Sequence, residues 1–156
     1  MRILVLSDSH RNNINLFSAI TEEPTAEVVY FLGDGANEFE EAKYIYGKNQ
    51  AFIGVRGNCD MGSFLPERDI RTVCGKKILA THGYLQNVKF GLTDLQLEAV
   101  SEHCDIALFG HTHSPESIYK DGIYYFNPGS IGEGKYGVID ITSGGVICIN
   151  KKLSVY

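Results

Sequence analysis

Long apolar runs are missing from this 156-residue chain, and no stretch approaches the roughly 18 apolar residues of a spanning helix, which argues against an integral helical membrane protein. The opening MRILVLS is too short for a signal peptide and lacks its small-residue cleavage pattern, so it reads as a buried first strand. Cysteine is sparse and dispersed. Cys59, Cys74, Cys104 and Cys148 form no Cys-x-x-Cys pair, so neither a zinc finger nor a dense disulfide framework is expected, and a reducing cytoplasm is the simpler location. Basic clusters are lacking too. The formal net charge is -5 with Lys and Arg scattered, so the electrostatic footprint of a bulk nucleic-acid binder is missing. That balance does not speak to a small phosphate ester, because a local metal site inverts the charge a phosphate senses. No repeat, low-complexity segment or linker divides the chain, and a single domain over residues 1–156 is expected.

What is present is an ordinary globular composition, 44% hydrophobic and 21% charged, enough to build one core. The first half alternates strand-like runs (3–6, 28–32, 50–55) with helical patterns marked by Ile14, Phe17, Ala19 and Ile20, and by Phe39, Ala42, Ile45 and Tyr46. A hairpin follows over 69–74 and 77–80, turning about Gly75-Lys76. A helix over 92–100 presents Leu92, Leu95, Ala99 and Val100 on one face, with Thr93 as its N-cap. Strand 106–109 comes next, and the remainder reads as strand and turn only. Alternating βα units imply a largely parallel sheet, and consecutive hairpins an antiparallel one. The expected fold is α/β, a four-layer α-β-β-α sandwich of two mixed sheets. Tyr44, Tyr46, Tyr119, Tyr124 and Tyr125 read as core or interface.

Five loops hold nearly all the chemically distinctive side chains: Ser7-Asp8-Ser9-His10, Gly33-Asp34-Gly35, Gly57-Asn58-Cys59-Asp60, Thr81-His82-Gly83 and Gly110-His111-Thr112-His113. Each follows a predicted strand, and in open α/β sheets polar groups at the carboxyl ends of strands converge. Four of the five histidines lie in these loops, and only His103 falls elsewhere. Asp oxygen, His nitrogen and Asn amide oxygen together suit borderline divalent ions without thiolate. Asp8 with His10, and His111 with His113, are spaced i, i+2, which in extended backbone would turn both side chains one way and let each pair chelate. Gly33, Gly57, Gly83 and Gly110 are expected to allow tight turns and close approach to an ion. Taken singly, each motif is also an ordinary turn or helix cap; five in order are not. Arg11 and Asn12 read as exposed loop residues, and Arg56 as the partner of a carboxylate.

In order, Asp8-x-His10, Gly33-Asp34, Gly57-Asn58, His82-Gly83 and Gly110-His111-x-His113 resemble the motif series of the calcineurin-like metallophosphoesterases, specifically their small bacterial and archaeal phosphodiesterase branch, over almost the whole chain. The stretches Gly-Asn-Cys-Asp (57–60) and Asn-Pro-Gly-Ser (127–130) fit that branch as well. The resemblance implies that Asp8, His10 and His113 hold one ion, that Asn58, His82 and His111 hold a second, and that Asp34 bridges them, with Asn58 and His111 also taking part in catalysis. The implied cofactors are two divalent metal ions, manganese first and nickel, iron, cobalt or zinc after it. The implied activity is hydrolysis of a small phosphodiester, with a monoester as the further candidate, by a hydroxide shared between the ions. Two positions depart from the wider pattern. Cys59 stands where many relatives have a His able to protonate the leaving group, and Tyr84 stands where several have a second His. Esters with good leaving groups should therefore react best. The alternative is a non-catalytic scaffold of the same fold, resembling the retromer subunit that binds partner proteins; a metal-dependent nuclease ranks lower for want of a basic surface. Apolar C-terminal strands leave room for a homo-oligomer.

Overall fold

The computed structural model describes residues 1–154. Ten strands and three α-helices follow in the order β1 (Arg2–Leu6), α1 (Asn13–Glu22), β2 (Val28–Phe31), α2 (Ala36–Tyr46), β3 (Ala51–Gly54), β4 (Arg68–Val73), β5 (Lys76–Thr81), α3 (Thr93–Ser101), β6 (Ile106–Leu108), β7 (Glu116–Lys120), β8 (Ile123–Asn127), β9 (Lys135–Thr142) and β10 (Gly145–Lys152). One sheet has the order β10-β9-β1-β2-β3 and the other β4-β5-β6-β8-β7. Both are mixed: β1, β2 and β3 run parallel with β9 antiparallel to β1, and β5, β6 and β8 run parallel with β4 and β7 antiparallel at the edges.

The period-two alternation of strand side chains builds the layers. In β1, Ile3 and Val5 face the second sheet and pack with Ile78, Ala80, Ile106, Leu108 and Phe126, while Leu4 and Leu6 point the other way. There they meet Leu16, Ala19 and Ile20 of α1 and Phe39 and Ala42 of α2. On the far side, Leu79 and Ala107 pack against Leu95 and Ala99 of α3. The result is the four-layer α-β-β-α sandwich. Its first strand is pinned to β9 by a cross-strand ion pair in which Arg2 donates from Nε and Nη2 to the two oxygens of Asp140 at 2.9 and 2.8 Å. No helix among the described residues is long and apolar enough to cross a membrane.

Several local readings need correction. The hairpin turns on Cys74-Gly75, one residue earlier than the pattern placed it; both have positive φ, 48° and 75°, as a two-residue turn matched to strand twist requires. Thr93 is the first helical residue of α3 and not its cap, a place taken by Leu92 with no capping side chain. Ile14, Ile45 and Val100 face solvent, because apolar spacing along a helix of two or three turns does not fix which edge of the stripe meets the sheet. Tyr125 is core, but Tyr44 and Tyr119 are exposed.

Candidate metal centre

The parallel strands deliver the five loops to one end of the sandwich. Asp8 follows β1, Asp34 follows β2 and Asn58 lies four residues beyond β3, all in the first sheet. His82 follows β5, and His111 and His113 follow β6, in the second. Two groups of side chains meet there, Asp8 with His10 and His113, and Asp34 with His82 and His111, with the donor atoms of each group within 4.8 Å of one another. Asn58 joins the second group, its Oδ1 lying 3.1 Å from His82 Nε2. Asp34 also falls in a third group with His10 and Cys59, which places its carboxylate between the two. All seven residues singled out in the sequence thus come together, and the first two groups each draw on both sheets.

The spacing argument for the paired residues does not hold. Asp8, His10, His111 and His113 all have positive φ, between 45° and 66°, so these loops are tightly wound and not extended. Asp8 and His10 still share a group, but His111 and His113 divide between the two. Of the glycines, Gly33 and Gly83 make tight turns with φ of 99° and 97°, while the other two relieve crowding: a Cβ on Gly57 would lie 2.1 Å from Asp34 Oδ1, and one on Gly110 would lie 2.0 Å from Ser7 Oγ. Their absent side chains let neighbouring loops touch each other.

The polar atoms are arranged for a cation. Asp8 is fully buried; its Oδ2 accepts from Ser7 Oγ at 2.5 Å and from the His111 N–H at 3.1 Å, while its Oδ1 has no hydrogen-bond partner. His113 Nε2 and His10 Nε2 lie 3.2 and 3.7 Å from that orphan oxygen, and 3.1 Å from each other. Leaving a buried carboxylate oxygen unpaired costs free energy that a cation in this position would recover. In the second group the Leu32 carbonyl lies 2.7 Å from His82 Nδ1, which must therefore donate. The neutral ring's remaining nitrogen, Nε2, then presents a lone pair to Asn58 Oδ1 and His111 Nδ1 at 3.1 Å and to Asp34 Oδ2 at 3.4 Å. Such orientation of a ligating His through its other nitrogen is a common outer-shell device. Without a cation the same carboxylates favour a proton on the ring: burial lowers the basicity of His82, but Asp34, as acceptor for the ring, and the charges of Asp8 and Asp34 outweigh it and raise it. Burial likewise disfavours the Asp34 anion, yet His82 and the Cys59 N–H hold its carboxyl well below the usual carboxylate range. The donor set fits divalent ions.

Residues of the 57–60 and 127–130 stretches that were given no role in the sequence hold this arrangement. Asp60 accepts backbone N–H bonds from Asp34, Gly35, Ala36 and Gly57 at 2.8 to 2.9 Å, capping α2 from 24 residues downstream. Asn127 donates to the Gly110 carbonyl and Thr112 Oγ1, both at 3.0 Å, and Ser130 Oγ donates to the Asp8 carbonyl at 2.8 Å, so the Asn-Pro-Gly-Ser turn braces two of the loops. Asn12 caps α1 through Oδ1, and Arg56 pairs with Glu67 as expected. Cys59 is exposed.

The chain is similar to known proteins. YsnB of Bacillus subtilis, described as a probable metallophosphoesterase, is 32% identical over 131 residues, 84% of this chain and 75% of its own. The phosphodiesterase YfcE of Escherichia coli K12 is 32% identical over 112 residues, 63% of this chain and 57% of its own. Vps29 of Entamoeba histolytica, solved with zinc, superposes with a TM-score of 0.71 over 99% of this chain and 100% of its own at 20% identity, a likeness of fold alone. The calcineurin-like phosphoesterase superfamily domain matches residues 1–144, a span that includes all five loops and the brace at 127–130, and the chain belongs to that family.

Proposed function

We propose that this protein is a metal-dependent phosphodiesterase whose two ion sites share Asp34. Asp8, His10 and His113 would hold one divalent ion, and Asn58, His82 and His111 the other. The observation that carries this reading is the buried, unpartnered Asp8 Oδ1 facing the Nε2 atoms of His10 and His113. Bound there, divalent ions supply positive charge for the phosphoryl oxygens and bring the pKa of water to about 7. The protein's own part is placement. Leu32 fixes the His82 ring, the Cys59 N–H holds Asp34 Oδ1 at 2.8 Å, and the His111 N–H holds Asp8 Oδ2 at 3.1 Å. Asn58 keeps its amide oxygen toward His82, with Nδ2 toward Cys59 Sγ at 3.4 Å. No side chain at position 59 is suited to protonate a departing alkoxide, so turnover falls on diesters with acidic leaving groups. Manganese leads among the candidate ions, and the four free thiols fit a reducing cytoplasm.

The diester preference draws on the 32% identity with YfcE. The scaffold reading draws on the likeness to Vps29, whose zinc means that metal binding alone does not separate the two. Turnover does. Metal-stripped protein given manganese, nickel, cobalt, zinc or magnesium in turn should recover hydrolysis of bis(p-nitrophenyl) phosphate in preference to p-nitrophenyl phosphate. Asp34→Asn should lose at least about a hundredfold in kcat, as removal of one electrostatic element commonly does. Folded wild-type protein that turns over neither ester with any ion overturns the enzyme reading in favour of the scaffold.

A further inference from the structure

Two clefts open off the candidate metal centre, on either side of the loop that carries Asn58. The larger, about 810 Å³, runs from His10, Asp34 and Cys59 to Met61 and Phe64. The smaller, about 230 Å³, runs from Asn58 and His82 to Tyr84 and Leu85. Asp60 and Met61 border both, so their loop is the ridge between them. A phosphodiester carries two organic arms on one phosphorus and a monoester only one. A pair of unequal clefts meeting at one ridge therefore matches a diester with unequal arms.

The walls say what the larger arm is. Phe64 and Met61 are almost wholly exposed, although each is a side chain that gains by being covered. Arg11 is the one Lys or Arg among the described residues lining this cleft, against Glu38 and Glu40, and the Asp60 carboxylate is already occupied by four backbone N–H groups. An arm bearing further phosphates would meet a wall of its own sign, whereas a flat uncharged arm would meet an aromatic ring and a thioether. Resting on the diesterase reading above, we propose that the larger cleft binds an uncharged aromatic ester arm of the substrate against Phe64 and Met61, and that Phe64 is a specificity-determining residue.

Binding of two slowly hydrolysed diesters tests this without relying on turnover. Zinc-loaded protein, diamagnetic and so suited to amide NMR, is titrated with diphenyl phosphate and with dimethyl phosphate. Diphenyl phosphate should bind about tenfold or more tightly, a ratio typical of filling an apolar pocket, and should shift the amides of Met61 to Leu65. Phe64→Ala should remove most of that ratio while leaving dimethyl phosphate unchanged, and Phe64→Leu should keep most of it. Equal Kd values for the two diesters, or a ratio unmoved by Phe64→Ala, would overturn the proposal and leave Phe64 and Met61 as a protein-docking face. Turnover of bis(p-nitrophenyl) phosphate by the manganese-loaded protein reports separately on the parent reading. A Phe64-dependent ratio without turnover would uphold the cleft and overturn the hydrolase.

Discussion

The backbone N–H of Asp34 donates to Asp60 Oδ2 at 2.8 Å, so the chain that carries one carboxylate of the candidate site is held by another carboxylate that belongs to none of the candidate ligand groups. Asp60 gives the same support to Gly35 and Ala36 at the start of α2 and to Gly57 before Asn58. Its negative charge sits where the positive end of the helix dipole lies. Asp60→Asn keeps the size but replaces one acceptor by a donor facing N–H groups. We expect a loss of about 2–3 kcal/mol in denaturant unfolding, by the cost of stranding buried donors, and a fall in bound metal per chain measured by mass spectrometry. Unchanged metal content would show that the loop stands without it.

Gly57→Ala should act by collision. The added Cβ would lie 2.1 Å from Asp34 Oδ1 and 2.6 Å from its backbone nitrogen, and neither neighbour is the free end of a flexible chain. The expected outcome is retained secondary structure by circular dichroism with metal affinity lowered at least about tenfold, the scale on which disturbed ligand support acts. Native affinity in a titration would contradict the crowding.

Cys59→His restores an imidazole beside the site. If the thiol is why poor leaving groups react slowly, a plot of log kcat/KM against leaving-group pKa should flatten in the variant. Rates on alkyl-like esters should rise by about a hundredfold, the lower range of general acid catalysis. An unchanged slope would remove leaving-group protonation from the account of this position.

The Arg2–Asp140 pair gives a pH dependence of stability. The hydrogen bond and charge of Arg2 lower the Asp140 pKa, against burial, so the folded value lies below the unfolded one of about 3.9. Its contribution is therefore present in full above that unfolded value and is lost as pH falls through the folded one. Asp140→Asn should cost about 1 kcal/mol at neutral pH, a modest figure because Arg2 is partly exposed, and the gap from wild type should close as pH falls through the lowered folded value. A gap that persists in acid would assign the effect to packing.

Much of this molecule was readable in its residues. Strand alternation around Ile3 to Leu6 and the βα rhythm gave the layers, and five ordered loop motifs named the seven side chains that meet. What escaped was geometry set by contacts between distant segments. Positive φ at His111 and His113 is invisible in a two-residue spacing, because only the packed loops against Ser7 and Asp8 enforce it. Asp60 and Asn127 looked like turn residues, and nothing local reveals that their side chains reach loops 24 and 17 residues away. The apolar stripes of α1 and α3 were found, but their edges were not, since the sheet decides which face of Ile14 or Val100 it covers.

The Asp8–His10–His113 group and the Asp34–His82–His111 group at the carboxyl ends of the strands each take members from both sheets. An ion held by such a group is a clasp across the seam of a closed book. Whatever it gains in binding is withdrawn when the two sheets part, so ion occupancy and cohesion of the sandwich rise and fall as one quantity, by RT ln(1 + [ion]/Kd). Scarcity of metal in the surroundings would then be felt first as a loosened hinge between sheets, with each sheet and its helices still intact.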